Sequence, residues 1–309
     1  MTMKIVFFGT PEFAVPSLKM LHENHEVLLV VTQPDHTVGR KKQIVKSPVK
    51  IYAECVNLPI FQPEKIKQED QRIIDLKPDL IITAAYGQML PNRLLKNVKA
   101  LNVHGSLLPK YRGGAPIQYA LFDGLKETGV TVMYMAEKMD SGDIIKQEKV
   151  LIDPSDNYKT LMLKMSFVGA NLLKSVLEDM KQGIFHRVSQ NEDEVSFAYT
   201  IKRDDEWLDF NDTATNILNR IRGLSPEPGA STYINGKIVK FYQAKISDII
   251  KHNEPGTVLS TDKMLLIQTK DQAIEILELQ VAGKRKMDAK SFLNGQSIIK
   301  KGDHFQKGE

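Results

Sequence analysis

Short apolar runs alternate with stretches of helical periodicity along the N-terminal part of the chain. Three runs rich in β-branched and aromatic residues, at 4–8, 26–32 and 79–85, predict strands that are buried on both faces. Apolar residues recur at helical spacing after the first run and again over 66–76. Strands that alternate with helices in this way form parallel sheets covered on both faces. The pattern therefore predicts an α/β fold with a doubly wound, mostly parallel, Rossmann-like sheet.

Two later apolar runs, at 128–136 and 144–152, flank a short polar turn that contains Asp140. Their closeness in sequence predicts an antiparallel, hairpin-like pair at the edge of the sheet. The segment 158–181 has apolar residues at mixed spacings of three and four, which predicts a long amphipathic helix. Its methionines are expected to fill the core.

The C-terminal part has a different pattern. One helical stripe, ending near Ile221, is followed by short strand-like runs with turns between them, and the Asn235-Gly236 pair is a hairpin signal. The runs lie at 231–234, 237–246, 256–260, 263–269 and 273–279. One helix and about five or six short strands in roughly 100 residues predict a small OB-type β-barrel. Residues 302–309 are expected to form a frayed tail.

A polar stretch separates these two patterns. Residues 189–194 and 202–206 are almost all polar or charged, which is typical of a connection between domains. We therefore predict an α/β domain at 1–189, a linker at 190–206 and an OB-like domain at 207–309.

Composition and charge are those of an ordinary globular protein, with 42% hydrophobic residues, 26% charged residues and a net charge of +4. With so mild a charge, a nucleic-acid-binding surface would have to be a local patch. The one cysteine, Cys55, excludes an intramolecular disulfide and is expected to be a small buried residue. The apolar runs fall short of the roughly 20 residues that span a bilayer. We expect a cytoplasmic protein with no membrane partner.

The candidate chemistry lies around a strand that should end near residue 104. Asn102 and His104 are two residues apart, so on a strand their side chains leave from the same face. Asp140 follows in a turn between two other predicted strands. Together an amide, an imidazole and a carboxylate can polarise a carbonyl, move a proton and orient the proton carrier. Two of these residues also have a structural explanation when taken alone. His104 could be a structural histidine whose hydrogen bonds are satisfied within the protein, and Asp140 could form an Asx-type turn.

Other kinds of site are disfavoured by the pattern. The first strand ends at a single glycine, Gly9, and lacks the G-x-G-x-x-G motif of dinucleotide sites. Ser106 lacks the second glycine of the G-x-S-x-G motif, which argues against a serine hydrolase. His22 and His25 have no third ligand, so no metal site is predicted. Acid–base and oxyanion chemistry without a protein nucleophile remains.

The connection after the second strand is long and basic. Arg40, Lys41, Lys42, Lys46 and Lys50 follow one another with no acidic residue between them. Long loops are often functional, and this one could form a mobile arm that contacts phosphates. From the sequence alone, a solvated charged loop is an equally good explanation.

The residues around the candidate site resemble a known family. The sequences Asn-Val-His-Gly-Ser-Leu-Leu-Pro at 102–109, Arg-Gly-Gly-Ala-Pro-Ile-Gln at 112–118 and Asp-Ser-Gly-Asp at 140–143 are similar to the motifs of formyltransferases that use 10-formyltetrahydrofolate. The resemblance extends over the chain, including Phe-Gly-Thr-Pro-Glu-Phe at 8–13 and Thr-Gln-Pro-Asp at 32–35. It is greatest for the family members that act on methionyl initiator tRNA.

This resemblance implies transfer of a formyl group from 10-formyltetrahydrofolate, as cosubstrate, to the α-amino group of methionine esterified to initiator tRNA. The catalytic residues that it implies are Asn102, His104 and Asp140. The folate-binding residues that it implies are Ser106, Leu107, Leu108 and Pro109. The tRNA-binding residues that it implies are Arg40, Lys41 and Lys42. No metal is implied, and we expect a monomer because no strand or heptad pattern indicates a partner.

Two alternatives stay open. A formyltransferase for a small amine, or a formyltetrahydrofolate hydrolase, would share the three catalytic residues, although neither requires the basic loop or a barrel-like second domain. A non-catalytic nucleic-acid-binding protein would use the barrel alone, and the convergence of three polar residues argues against it.

Overall fold

The computed structural model describes residues 2–38, 43–249, 253–295 and 298–308. The chain divides into two units. The first comprises Met1–Pro116, Glu127–Leu151 and Met162–Tyr199, and the second comprises Ile117–Lys126, Ile152–Leu161 and Thr200–Glu309. The stretch 190–206, predicted as a linker, is therefore shared: its residues up to Tyr199 cluster with the first unit and the others with the second.

The first unit is built on a seven-stranded sheet. The strands of this unit are β1 Lys4–Gly9, β2 Glu26–Val31, β3 His36–Val38, β4 Gln43–Val45, β5 Ile60–Phe61, β6 Leu80–Ala84, β7 Ala100–His104, β8 Glu127–Tyr134 and β9 Ile144–Leu151. The sheet has the order β5-β2-β1-β6-β7-β8-β9, and β3 pairs with β4 separately. Neighbours from β5 to β7 are parallel, whereas β8 and β9 are antiparallel. The predicted doubly wound, mostly parallel sheet and the hairpin-like pair at its edge are both confirmed.

Helices connect these strands and follow the last of them. They are α1 Val15–Asn24, α2 Pro48–Cys55, α3 Ile66–Asp75, α4 Asn92–Asn97, α5 Pro116–Phe122 and α6 Tyr158–Lys181. The Ser47 hydroxyl caps α2 by accepting a hydrogen bond from the backbone N–H of Lys50. Helix α6 has the predicted bounds. By length and composition it could cross a membrane, but 56% of the apolar window is buried inside the protein, as is typical of a core helix.

Cys55 corrects one prediction. It was expected to be buried, but it is exposed at the end of α2. This short helix buries Val49 and Ala53, which are four residues apart and therefore on one face. Cys55 lies two positions after Ala53, on the other side of the helix, so the pattern around it gave the wrong face.

The carboxyl ends of β1, β6 and β7 lie side by side in the sheet. Gly9 pairs with Ala84, and Thr83 pairs with Asn102. The chain first adds strands on one side of β1 and then adds β6 on its other side, so the strand order reverses between β1 and β6. Ligands of open α/β sheets bind in the crevice at such a reversal. The fold therefore places a binding crevice next to the end of β7.

Tyr86 lies in the turn after β6 and is almost fully buried. Its ring packs edge-on against Phe8, with ring centroids 5.0 Å apart. Its backbone carbonyl accepts hydrogen bonds from Thr10 Oγ1 at 2.9 Å and Gln33 Nε2 at 3.1 Å. These hydrogen bonds to the backbone hold the turn in place. Its hydroxyl is buried with no hydrogen-bond partner among the described residues. Burial raises the pKa of this phenol to about 12.

Replacing Tyr86 by phenylalanine is expected to keep or increase the free energy of unfolding, by up to roughly 1–2 kcal/mol, because it removes an unsatisfied buried hydroxyl. It should also change the alkaline response. Between pH 10.0 and about 12 the phenol ionises in the unfolded chain but not in the folded one, so the wild type loses stability as the pH rises through this window. Urea unfolding at pH 7 and pH 11 should show a smaller loss for the variant. A variant that is less stable at pH 7 would contradict this account.

The second unit contains a six-stranded antiparallel sheet. Its strands are β10 Ala230–Ile234, β11 Lys237–Ser247, β12 Val258–Ser260, β13 Leu265–Gln268, β14 Ala273–Val281 and β15 Met287–Asp288, and its helices include α7 Ala214–Gly223 and α8 Ala289–Asn294. The order is β10-β11-β14-β13-β12, with β15 paired to β14. The predicted hairpin turn is confirmed, since Asn235 and Gly236 have φ values of 48° and 75°.

The C-terminal segment joins the two edge strands of this sheet. Beside β12, the Val258 N–H donates to the carbonyl of Asp303 at 2.8 Å. Beside β10, Tyr233 and Gln306 exchange two backbone hydrogen bonds of 2.9 and 2.8 Å. The segment thereby pairs with both open edges, which is consistent with the predicted OB-type barrel.

Phe305 fixes the same segment in the core. It is 1% exposed, and its ring centroid lies 5.4 Å from that of Phe241 and 5.8 Å from that of Phe210. The prediction of a frayed tail at 302–309 was therefore wrong. One large apolar residue in eight gives no periodic signal, so the pairing could not be read from the pattern.

Candidate active site

The structure brings together the three side chains that the sequence singled out. Strand β7 carries Asn102 and His104, and the turn between β8 and β9 carries Asp140. Asn102 Nδ2 donates to Asp140 Oδ1 at 3.3 Å, and His104 Nδ1 lies 3.6 Å from Asp140 Oδ2. Strand β8 runs antiparallel to β7 and ends beside Leu101, and the turn that follows it brings Asp140 back to the side chains of Asn102 and His104. The carboxylate therefore faces both the amide and the imidazole.

The orientation of the Asn102 amide is fixed by Thr83 on the neighbouring strand. Thr83 Oγ1 donates to Asn102 Oδ1 at 2.7 Å, which turns Nδ2 toward Asp140. Nδ2 carries two hydrogens, and within the described part of the chain the second has no acceptor. The amide can therefore donate one further hydrogen bond to a ligand.

The His104 ring is held by a backbone carbonyl. His104 is 6% exposed, and its Nε2 lies 2.9 Å from the carbonyl oxygen of Tyr111. A carbonyl only accepts, so Nε2 is the nitrogen that carries hydrogen. In the neutral ring, Nδ1 is then free to accept a proton, and it is the nitrogen that faces Asp140. The arrangement can stabilise a protonated imidazole.

Asp140 sits in an unusual backbone conformation. Its φ of 50° is left-handed, which Asp tolerates better than most residues. Oδ2 accepts a hydrogen bond of 2.9 Å from the backbone N–H of Gly113. Gly113 has φ of 125°, and a Cβ there would lie 2.5 Å from the Ala198 carbonyl oxygen, so this donor position requires glycine.

The segment implied to bind folate is a turn held by hydrogen bonds. Ser106 is fully buried, and its hydroxyl donates to the Lys110 carbonyl at 2.6 Å. Leu108 is 3% exposed and its N–H donates to Thr131 Oγ1 at 3.2 Å. Leu107 and Pro109 keep part of their surface accessible. Contact of these four residues with folate stays a prediction.

The basic loop is only partly within the described residues. Arg40, Lys41 and Lys42 lie outside them. The two following lysines are paired: Lys46 Nζ lies 2.8 Å from Glu54 Oε2, and Lys50 Nζ lies 2.6 Å from Asp35 Oδ2. The hydrogen bonds from Lys50, and then from Gln62, hold the pKa of Asp35 below its ordinary value.

Sequence reasoning missed the residues that support the three side chains. Thr83 supports Asn102 because the two residues are paired in neighbouring strands, and this pairing is not visible in the sequence. Gln190 lies in the predicted linker and donates a hydrogen bond to the backbone carbonyl of Asp140. Tyr111 and Gly113 act through backbone groups, which leave no side-chain signal. Among the residues that the structure describes, no group of three or more His, Cys, Asp or Glu could hold a metal ion.

Two family models match the chain. The model described as "Formyl transferase" matches residues 3–177, and "Formyl transferase, C-terminal domain" matches residues 200–297. Together they cover most of both units.

Curated relatives match almost the whole chain. The methionyl-tRNA formyltransferase of Lactobacillus acidophilus is 46% identical over 311 residues, which cover 99% of this chain and 98% of the relative. The enzyme of the same name from Staphylococcus aureus strain Newman is 45% identical over 298 residues, which cover 94% of this chain and 96% of the relative.

Solved structures share the fold at lower identity. HypX from Aquifex aeolicus, in complex with tetrahydrofolic acid, is 20% identical with a TM-score of 0.67, covering 100% of this chain and 51% of HypX. An N-formyltransferase from Helicobacter canadensis is 21% identical with a TM-score of 0.69, covering 89% of this chain and 99% of the other. The family models and the near-complete match to curated relatives show that the chain belongs to the formyl transferase family.

Proposed function

We propose that this chain transfers the formyl group of 10-formyltetrahydrofolate to the α-amino group of methionyl initiator tRNA, giving N-formylmethionyl-tRNA for translation initiation. The observation that carries the proposal is the 45–46% identity to methionyl-tRNA formyltransferases over both units. The solved structures of N-formyltransferases that share the fold have only about half of this identity, 19–23%. Because the identity to methionyl-tRNA formyltransferases extends over both units, it supports the same formyl acceptor as well as the same formyl donor.

The polar groups at the site fit formyl transfer between two nitrogens. An amide N–H, an imidazole and a carboxylate converge at the end of β7, beside the crevice of the sheet. 10-Formyltetrahydrofolate supplies the formyl group on its N10. Leu107 and Pro109 would contact the folate with their accessible surfaces, whereas Ser106 and Leu108 shape the segment from inside.

The three side chains have distinct parts in the reaction. The substrate α-amino group, with a pKa of roughly 8, is partly neutral at cellular pH and needs a route for its proton as it attacks. Asn102 Nδ2 donates to the formyl oxygen as negative charge develops there. His104 Nδ1 accepts the proton and delivers it to the leaving nitrogen. Asp140 orients and stabilises the protonated ring.

The acceptor would be held by basic residues outside this site. Lys46 and Lys50 are already paired with Glu54 and Asp35, so their charge is largely neutralised. Arg40, Lys41 and Lys42, in the connection between β3 and β4, would then contact the phosphates of the tRNA. The barrel of the second unit would supply further tRNA surface.

An assay with 10-formyltetrahydrofolate and three acceptors in parallel tests the proposal. Methionyl initiator tRNA, free methionine and glycinamide ribonucleotide are offered at equal concentration. Formylation of the charged tRNA alone is the expected result. Turnover of a small amine would indicate a different acceptor on the same donor site, and release of formate without an acceptor would indicate a hydrolase.

Arg40→Ala is expected to weaken use of the charged tRNA while leaving the KM for the folate unchanged. The logarithmic slope of kcat/KM against salt concentration should fall by about 1, because one phosphate contact is lost. Lys46→Ala is the matched control, since it removes a positive charge of the same loop that is already paired with Glu54. Equal salt slopes for both variants and the wild type would mean that the loop is only solvated.

We further propose that the enzyme acts in the cytoplasm as a monomer without a membrane partner. The exposed thiol of Cys55 is compatible with a reducing compartment, where thiols stay free. Light scattering measures the mass in solution, and a mass of about 35 kDa is expected from the 34.9 kDa chain. A mass that is a multiple of this value would contradict the monomer.

A further inference from the structure

Gln190 is bonded to the turn that carries Asp140. Its Nε2 donates to the backbone carbonyls of Asp140 and Gly142, each at 2.8 Å. Both hydrogens of one side-chain amide therefore hold this turn. Gln190 lies in the stretch predicted as a linker, but here it is part of the structure beneath the active site.

The buried Arg112 sets the orientation of this amide. Arg112 is 4% exposed, and its Nε and Nη2 donate to Gln190 Oε1 at 3.0 and 2.9 Å. Because Oε1 faces the guanidinium, Nε2 must face the turn. Arg112 is itself held in place: its N–H donates to the Ser196 carbonyl, and its carbonyl accepts from the Ala198 N–H. Its Nη2 also pairs with Glu192 Oε1 at 2.8 Å.

The turn needs this support because its conformation is not an intrinsically favoured one. A left-handed φ is disfavoured at a non-glycine residue, and Asp140 has φ of 50°. The backbone is also closely packed, since a Cβ on Gly142 would lie 1.9 Å from the Tyr134 carbonyl oxygen. A relaxed turn would move the Asp140 carboxylate away from Asn102 and His104.

We propose that Gln190, oriented by Arg112, is a positioning residue for formyl transfer. It holds the turn between β8 and β9 so that the Asp140 carboxylate faces Asn102 Nδ2 and His104 Nδ1 together. Gln190 acts through Asp140 and touches neither substrate. The inference rests on the proposed function, because its effect is measured on formyl transfer.

Two substitutions separate donation to the turn from pairing with Arg112. Gln190→Ala removes both contacts, whereas Gln190→Glu keeps an acceptor for Arg112 and cannot donate to the two carbonyls. Both are expected to lower kcat by about 10- to 100-fold, with KM for the folate and the charged tRNA within about twofold, because the reacting geometry is displaced. If Gln190→Ala does not fold, Gln190→Glu carries the test, since Arg112 stays paired. Wild-type kcat in Gln190→Glu would overturn the inference.

A double-mutant cycle tests whether Gln190 acts through Asp140. Asp140→Gly removes the carboxylate and tolerates the left-handed backbone. In that background, Gln190→Ala should lower kcat by less than about twofold. An equal loss in both backgrounds would show a general structural effect and overturn the inference.

The adjacent Asn191→Ala is the matched control. Among the residues that the structure describes, the Asn191 side chain bonds only to the nearby Asp193 N–H and Glu194 Oε1, so the wild-type kcat is expected. A wild type that does not formylate charged tRNA would contradict the proposed function. Normal transfer by the wild type and by the Gln190 variants would contradict the positioning role alone.

Discussion

Replacing Asn102 by alanine is expected to lower kcat for formyl transfer by about 10²- to 10³-fold, because it removes the N–H donor that faces the developing charge on the formyl oxygen. KM for both substrates should change little, since the hydrogen bond gains its strength only as the charge forms. Steady-state formylation of methionyl initiator tRNA measures both parameters.

The Asn102 variant should fold. Without the amide, Thr83 Oγ1 can still donate to the Leu101 carbonyl at 3.3 Å, and Asp140 keeps the Gly113 N–H. Asn97→Ala is the matched control, because the Asn97 side chain is exposed and, within the described ranges, donates only to the Arg93 carbonyl of its own helix. Wild-type kcat in a folded Asn102→Ala variant would exclude Asn102 as the oxyanion donor.

Replacing Phe305 by alanine is expected to destabilise the second unit by about 3–5 kcal/mol, because a fully buried aromatic ring leaves a cavity. The loss affects more than packing. Phe305 lies between the two backbone contacts that join the C-terminal segment to β12 and β10, so the pairing of both edges should weaken with it. The unfolding midpoint of this unit should fall by more than about 10 °C.

Trp207 gives a direct measurement of this effect. It is the one tryptophan of the chain and belongs to the second unit, so its fluorescence reports on the unfolding of that unit. Phe167→Ala is the matched control, because Phe167 is 61% exposed on α6 and should change stability by less than about 0.5 kcal/mol. An equal midpoint for Phe305→Ala and the wild type would mean that the C-terminal segment contributes nothing to the barrel.

The sequence predicted the elements whose periodicity is strong. The buried runs that became β1, β2 and β6 are continuous and apolar, and α6 repeats its apolar positions over many turns. The antiparallel pair of β8 and β9 followed from two runs close in sequence. Such local patterns decide secondary structure without information about distant contacts.

The errors arose where tertiary contacts override local pattern. Phe305 is a core residue because the segment around it pairs with the backbone of two edge strands, β12 and β10. No periodicity in the sequence indicates this pairing. Gln190 lies among polar residues, in the stretch predicted as a linker, and the pattern gave no sign that its hydrogen bonds reach the turn of Asp140, 50 residues earlier in the chain. A polar segment can be either solvated or bonded to buried backbone, and composition does not distinguish the two.

The candidate site could be predicted in part. The two-residue spacing of Asn102 and His104 on a strand indicated their shared location, Asp140 was singled out by its place in a turn between two predicted strands, and the resemblance then implied the same three residues. The distances that bring all three together depend on the pairing of β7 with β8, which sequence spacing does not provide. The supporting Thr83 and the backbone groups of Tyr111 and Gly113 depend on the same pairing and turn geometry.

Single-turnover transfer of a labelled formyl group from 10-formyltetrahydrofolate to methionyl initiator tRNA tests the central claim most directly. The wild type is compared with Asn102→Ala, His104→Ala and Asp140→Gly under the same conditions. We predict that the wild type moves the label to the methionine α-amino group, and that each variant folds, binds both substrates and transfers slowly. Label that stays on the folate or appears as formate with the wild type, or transfer by the three variants at the wild-type rate, would contradict the account.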